Sequence, residues 1–177
     1  HSLEKNIKNL SDFKNKEISS LTVCILDRPR HKKIIDELKD LDVNIKLISD
    51  GDVLGAIYVS DPKYNVDMFL GIGGGPEGVL SAAALDTYDC HFQGRFIFKN
   101  KNDINEAKSM GIKELNKKYD LSEIVKGDSI FSATGITNSD ILNGIKFDKD
   151  NYISETLITH KNSKFKKIIK NINPINE

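Results

Sequence analysis

Residues 66–86 read VDMFLGIGGGPEGVLSAAALD. Val66–Leu70 is a short apolar run that predicts a buried strand, and Gly78–Asp86 carries the apolar density of a helix. Between them the backbone is nearly bare, with one proline and one carboxylate. Working outward, the same grammar occurs twice before it. TVCIL (22–26) predicts a strand, DRPRH (27–31) a loop, and His31–Leu41 a helix with Ile34, Ile35, Leu38 and Leu41 on one face. NIKLI (44–48) predicts a strand, SDGD (49–52) a loop, and Val53–Val59 a short helix. Three strand–loop–helix units in succession are the signature of a parallel sheet with crossover helices, so the expected class is α/β, a layered sheet. Ser129–Ser132 followed by ATGITNSD and a turn at Ile141–Leu142 suggests a fourth copy. The rest reads as a helix over 2–13 (Leu3, Ile7, Leu10), a strand over 92–98, a helix over 104–110, and a hairpin of 152–159 and 165–169 closed by KNSK. The end, NINPINE (171–177), reads as frayed.

A chain of 177 residues suffices for one well-buried core. No apolar run approaches the roughly 20 residues of a membrane helix, and HSLEKNIKNL lacks the layout of a signal peptide. Zero formal net charge argues against a general nucleic-acid or anionic-membrane binder. Cys24 reads as a small core side chain. Cys90 stands beside His91, but no further ligands follow at metal-binding spacing, so both thiols read as structural and fit a reducing cytoplasm. Of the 26 basic residues only Arg28, Arg30 and Arg95 are arginine. Two guanidinium groups one residue apart in so lysine-rich a chain suggest a site that needs the bidentate fork for phosphate or carboxylate.

Parallel strands deliver the loops that follow them to one edge of the sheet, where ligands of open α/β folds bind. Here that edge would gather Arg28-Pro29-Arg30, Asp50-Gly51-Asp52 and Gly73-Gly74-Gly75-Pro76-Glu77. A glycine loop entering a helix offers backbone N–H groups and the positive end of the helix dipole to an anion. It is neither a P-loop, since no Lys-Ser/Thr follows, nor a GxGxxG fingerprint, since residue 76 is proline. Each feature also has a plainer role: dipole complementarity for Glu77, a helix cap for Asp52, a surface ion pair for either arginine. His31 and Lys32 read as the start of a helix, and Arg95 as one partner of a structural ion pair. Together, anion donors opposite carboxylates suggest a polyhydroxylated anion held with a divalent cation, and a sugar phosphate fits.

LDRPRH (26–31), LISDGDV (47–53), IGGGPEGVLSAAAL (72–85), FQGR (92–95), AKSMGI (107–112) and FSATGIT (131–137) resemble, in order and spacing, class II fructose-1,6-bisphosphatase. LEKNIKNL (3–10) and the hairpin around ITHKNSK (158–164) add to the likeness, which covers nearly the whole chain. The resemblance implies a sugar-phosphatase-like fold of which this is the C-terminal half, with residues 1–20 a helix and connector from the preceding half and 21–177 the C-terminal domain. It implies Mg²⁺- or Mn²⁺-dependent hydrolysis of the 1-phosphate of fructose 1,6-bisphosphate in gluconeogenesis, in the cytoplasm and in a homo-oligomer. By the same resemblance Arg28, Pro29 and Arg30 contact substrate phosphate, and Asp50, Gly51 and Asp52 the sugar. Gly74 contacts substrate and Glu77 ligates a metal, while no other catalytic residue falls in this half. Gly75 departs from the alanine common in the family. A single Glu77 cannot hold a two-metal centre, so the remaining ligands would come from the preceding half. Sedoheptulose 1,7-bisphosphate as a further substrate, a non-catalytic sugar-phosphate-binding module and a purely structural role are the alternatives.

Overall fold

The computed structural model describes residues 1–175. Helix α1 (Leu3–Lys14) is followed by strand β1 (Thr22–Leu26), helix α2 (Lys32–Asp40), strand β2 (Asn44–Ile48), helix α3 (Asp52–Ile57), strand β3 (Met68–Phe69) and helix α4 (Gly75–Asp86). The three strands form a parallel sheet in the order β2–β1–β3. In the register Thr22 lies opposite Asn44 and Leu26 opposite Ile48. All five residues of β1 are buried, because both faces of the sheet are covered. Leu21 and Val23 pack with Ile7 of α1 and Leu38 of α2 on one side. On the other, Cys24 packs with Tyr58 and Val66. A strand with no solvent face needs a continuous apolar run, and TVCIL is one.

Helix α3 lies unusually close to the sheet. A Cβ on Gly55 would stand 2.5 Å from Ile48 Cδ1 and 3.0 Å from Phe69 Cε2. Glycine is therefore what allows the helix its depth. Beyond α4 come β4 (Gln93–Arg95), α5 (Lys101–Ser109), β5 (Lys118–Asp120) and α6 (Leu121–Ile124), with β4 and β5 antiparallel. A four-stranded sheet then forms from β6 (Ile130–Thr134), β7 (Lys146–Asp148), β8 (Asn151–His160) and β9 (Phe165–Pro174), all pairs antiparallel to β8. Ile57, Ala84, Phe131, Leu142 and Leu157 form the core between the α3/α4 pair and this sheet. The layers thus run α1/α2, parallel sheet, α3/α4, antiparallel sheet: a mixed α/β architecture. Buried Asp86 at the end of α4 accepts hydrogen bonds from Ser129 Oγ and Lys161 Nζ, both at 2.7 Å, which ties helix to hairpin. At the hairpin tip His160 bridges Asp128 (2.6 Å) and Ser163 (2.7 Å).

Five expectations need correction. Residues 129–134 are not a fourth parallel unit. β6 runs antiparallel to β8 in a separate sheet, and no helix follows at 141–142. There Ser139 Oγ accepts the N–H groups of Ile141 and Leu142, a side-chain-closed turn. The third strand is shorter than 66–70, and α4 begins at Gly75, three residues earlier than its apolar pattern. The strand expected over 92–98 spans only Gln93–Arg95, because β5 offers just three partners. Residues 171–174 continue β9 opposite Asn151–Ser154 rather than fraying; residues 176–177 lie outside the described residues. No helix among the described residues is long and apolar enough to cross a membrane.

Candidate functional site

The loops after β1, β2 and β3 meet at one edge. The first is set by a single tight turn, Pro29–His31, with Arg28 extended before it and the His31 N–H donating to the Arg28 carbonyl at 2.8 Å. Proline at the first turn position fixes φ and aims its two neighbours apart. Arg28 faces the second loop, its Nη2 3.9 Å from Asp50 Oδ1. Arg30 faces the third and donates from Nε to the Ile72 carbonyl at 2.5 Å.

In the second loop Gly51 adopts φ +80°, in the left-handed region where only glycine is unstrained, and caps α3. That sharp exit leaves Asp50 at 94% side-chain exposure and draws Asp52 into the first helical turn. Asp52 Oδ1 accepts the Val53 N–H at 2.9 Å. Its Oδ2 lies 3.7 Å from where a Cβ on Gly73 would stand.

In the third loop Gly74 is the N-cap of α4, Pro76 occupies the first turn, and Glu77 follows it. The Glu77 carboxylate folds back over Gly74 into the space a Cβ there would fill. Asp52 and Glu77 therefore flank the Gly73–Gly74 backbone, while Arg30 reaches the head of that loop from the first loop. The geometry brings together Arg28, Asp50, Arg30, Asp52, Gly74 and Glu77, with Pro29 and Gly51 as the residues that shape two of the turns.

One residue of this edge was not legible in the sequence. His31 is fully buried. Its Nδ1 lies 2.8 Å from the Leu26 carbonyl and its Nε2 accepts the Ile72 N–H at 2.9 Å. The only sequence signal was an imidazole following DRPR where a helix start was expected. Arg95 is a correction: it is exposed on β4, and among the described residues it makes no ion pair.

The edge is open. Glu77 and Gly73, Gly74 and Gly75 before it are exposed. A groove of about 420 Å³ runs along α2 with Asp27, Arg28 and Pro29 on its border, but neither the Asp50–Asp52 loop nor the glycine loop lines it. Nor do the described residues assemble three His, Cys, Asp or Glu side chains able to hold a metal ion. The chain thus presents a polar sheet edge with two guanidinium groups, backbone N–H groups at a helix start and three carboxylates.

The sequence pattern of bacterial fructose-1,6-bisphosphatase, glpX-encoded, matches residues 1–173. The chain is 31% identical over 189 aligned residues to the D-fructose 1,6-bisphosphatase class 2/sedoheptulose 1,7-bisphosphatase of Trichodesmium erythraeum, covering 99% of this chain and 55% of the relative. It is 35% identical over 175 residues to the protein of that name from Synechocystis sp., covering 92% and 51%. The chain spans about half the length of the curated relatives it matches.

Proposed function

The chain belongs to the bacterial fructose-1,6-bisphosphatase family, and on that footing we propose that it supplies the substrate-holding wall and one metal-ligating carboxylate of a metal-dependent sugar bisphosphatase. The reaction is hydrolysis of the 1-phosphate of fructose 1,6-bisphosphate, with sedoheptulose 1,7-bisphosphate as a further substrate of the same class. The observation that carries this is the convergence of three loops. Arg28 faces Asp50, Arg30 reaches the glycine loop, and Asp52 and Glu77 flank Gly73–Gly74.

Each group has a task suited to its chemistry. Arg28 lies beyond hydrogen-bond distance of Asp50, so a phosphate can recruit its guanidinium at little cost. Arg30 stays anchored through Nε to the Ile72 carbonyl, and its terminal nitrogens remain for phosphate. Asp50 and Asp52 accept hydrogen bonds from sugar hydroxyls, and Gly51 keeps that loop in the conformation that presents them. Gly74 lets the substrate approach the backbone at the start of α4, where N–H groups lack helical partners. Carboxylates this close to a phosphate repel it unless a cation intervenes. Glu77 would hold Mg²⁺ or Mn²⁺ together with carboxylates from outside these residues, and the ion would neutralise phosphoryl charge and acidify a water. Because no metal-ligating group of three forms among the described residues, the chain alone is expected to bind without turnover. That observation also favours the second reading, a sugar-phosphate-binding module.

Phosphate release from fructose 1,6-bisphosphate with Mn²⁺ tests both, for these 177 residues beside the product of the full coding sequence. Activity in the latter alone supports a divided site; silence in both leaves the binding module. In the active protein Glu77→Gln should lower kcat by at least tenfold and raise the Mn²⁺ concentration for half-maximal rate. Unchanged metal dependence would remove Glu77 from the site.

A further inference from the structure

The Ile72 peptide, at the head of the glycine loop, is gripped from both sides by consecutive residues of the first loop. Its carbonyl accepts from Arg30 Nε at 2.5 Å, and its N–H donates to His31 Nε2 at 2.9 Å. A nitrogen that accepts carries no proton, so the imidazole proton sits on Nδ1 and points at the Leu26 carbonyl, 2.8 Å away. The same Nε2 stands 3.1 Å from the Ile72 oxygen, a contact that this tautomer leaves unbonded. The ring is fully buried and lies under Gly71, whose missing Cβ would be 3.9 Å from both Cε1 and Nε2. One imidazole therefore links the end of β1 to the loop after β3.

We infer that His31 is a positioning residue: through the Ile72 peptide it sets where the Gly73–Glu77 backbone stands relative to Arg28 and Arg30. It touches no substrate. Its role rests on reading this edge as a sugar-phosphate site, and it adds to that reading the part that holds two binding loops in register. An unpinned loop must be ordered at the moment of binding, and that ordering costs affinity.

Two near-isosteric variants separate this role from a merely structural one. In His31→Gln the amide oxygen reaches the place of Nε2 and can still accept the Ile72 N–H. In His31→Asn the amide sits at the place of Nδ1, so the Leu26 bond is kept and the Ile72 link is lost. Made in the protein from the full coding sequence, His31→Asn should raise KM for fructose 1,6-bisphosphate about tenfold with kcat nearly unchanged. That is one lost hydrogen bond of about 1.4 kcal/mol. His31→Gln should stay within threefold of the parent. In ¹⁵N-isoleucine-labelled protein the Ile72 amide, identified by its loss in Ile72→Val, should exchange faster in His31→Asn only. Equal KM values for the two variants, or a loss that follows melting temperature, would overturn the inference, as would unchanged Ile72 exchange in His31→Asn. Should the parent release no phosphate, the proposed activity fails. The Ile72 exchange and the affinity for inorganic phosphate would then still decide the role of His31, because both are read without turnover.

Discussion

In the proposed site Arg30 would do two things that a lysine cannot do together. Its Nε is spent on the Ile72 carbonyl while the planar head remains for an anion. Arg30→Lys must surrender one or the other, so we expect KM for fructose 1,6-bisphosphate to rise at least tenfold with kcat little changed, measured by initial rates of phosphate release. A fully retained KM would mean that the guanidinium serves only the loop. Arg28 differs: at 3.9 Å from a carboxylate that is 94% exposed, its present partner contributes little. The two arginines were legible from composition, standing out in a lysine-rich chain. His31 was not, because a lone histidine at a helix start carries no signal of what lies beneath it. Its partners are carbonyl and amide groups 5 and 41 residues away.

Among the elements, α3 makes a close contact with the parallel sheet. Gly55→Val would drive a branched side chain into Ile48 and Phe69, and overpacking of this kind costs about 1–3 kcal/mol. Urea unfolding should show that loss, with circular dichroism keeping the native helix content in the folded baseline. The loop before β7 is held to the edge of the first sheet by Lys46 and Asp140, 2.7 Å apart. The Lys46 hydrogen bond holds the Asp140 carboxyl below the ordinary carboxylate range. A depressed folded value means that the stabilisation is present above about pH 4 and is lost as pH falls below it. The pair is surface-exposed, so Lys46→Met should cost less than about 1 kcal/mol at pH 7. The same substitution should cost less near pH 3 than at pH 7, as urea titrations at the two pH values would show. The Cys24 thiol is pushed up to about 11, chiefly by burial. A thiol reagent at pH 7.5 should therefore modify half-buried Cys90 well before Cys24.

Across the whole chain, apolar surface is left uncovered next to the layers it belongs to. Ile168 and Ile172 lie opposite Leu157 and Ile153 in the β8–β9 ladder, and directly opposed residues share a face. Leu157 is buried in the second core, yet Ile168 and Ile172 are exposed. The core face of the sheet thus extends past the α3/α4 layer. Val79 and Leu80, just inside α4, are exposed as well. Relatives carry about as many residues again. We expect a dye specific for apolar surface to bind these 177 residues more strongly, chain for chain, than the product of the full coding sequence. Equal binding would show that the face remains bare in the longer protein.

What the sequence determined by itself was everything that depends on near neighbours. β1 falls on TVCIL because a strand buried on both faces must be apolar throughout, and three strand-like runs each followed by a polar loop imply a shared edge. The family was legible for a related reason: the likeness is carried by short contiguous stretches whose order and spacing are read directly along the chain. Tertiary structure alone decided the rest. IFSAT at 130–134 has the composition of another parallel strand, but its partner is β8, whose paired residues come 22 to 30 positions later in the chain. No local pattern distinguishes an antiparallel partner from a parallel one. The gathering of the three loops is tertiary too. Carboxylates separated by 25 residues, Asp52 and Glu77, meet at one glycine loop only because the strands before them lie side by side, and a buried imidazole holds that loop in register.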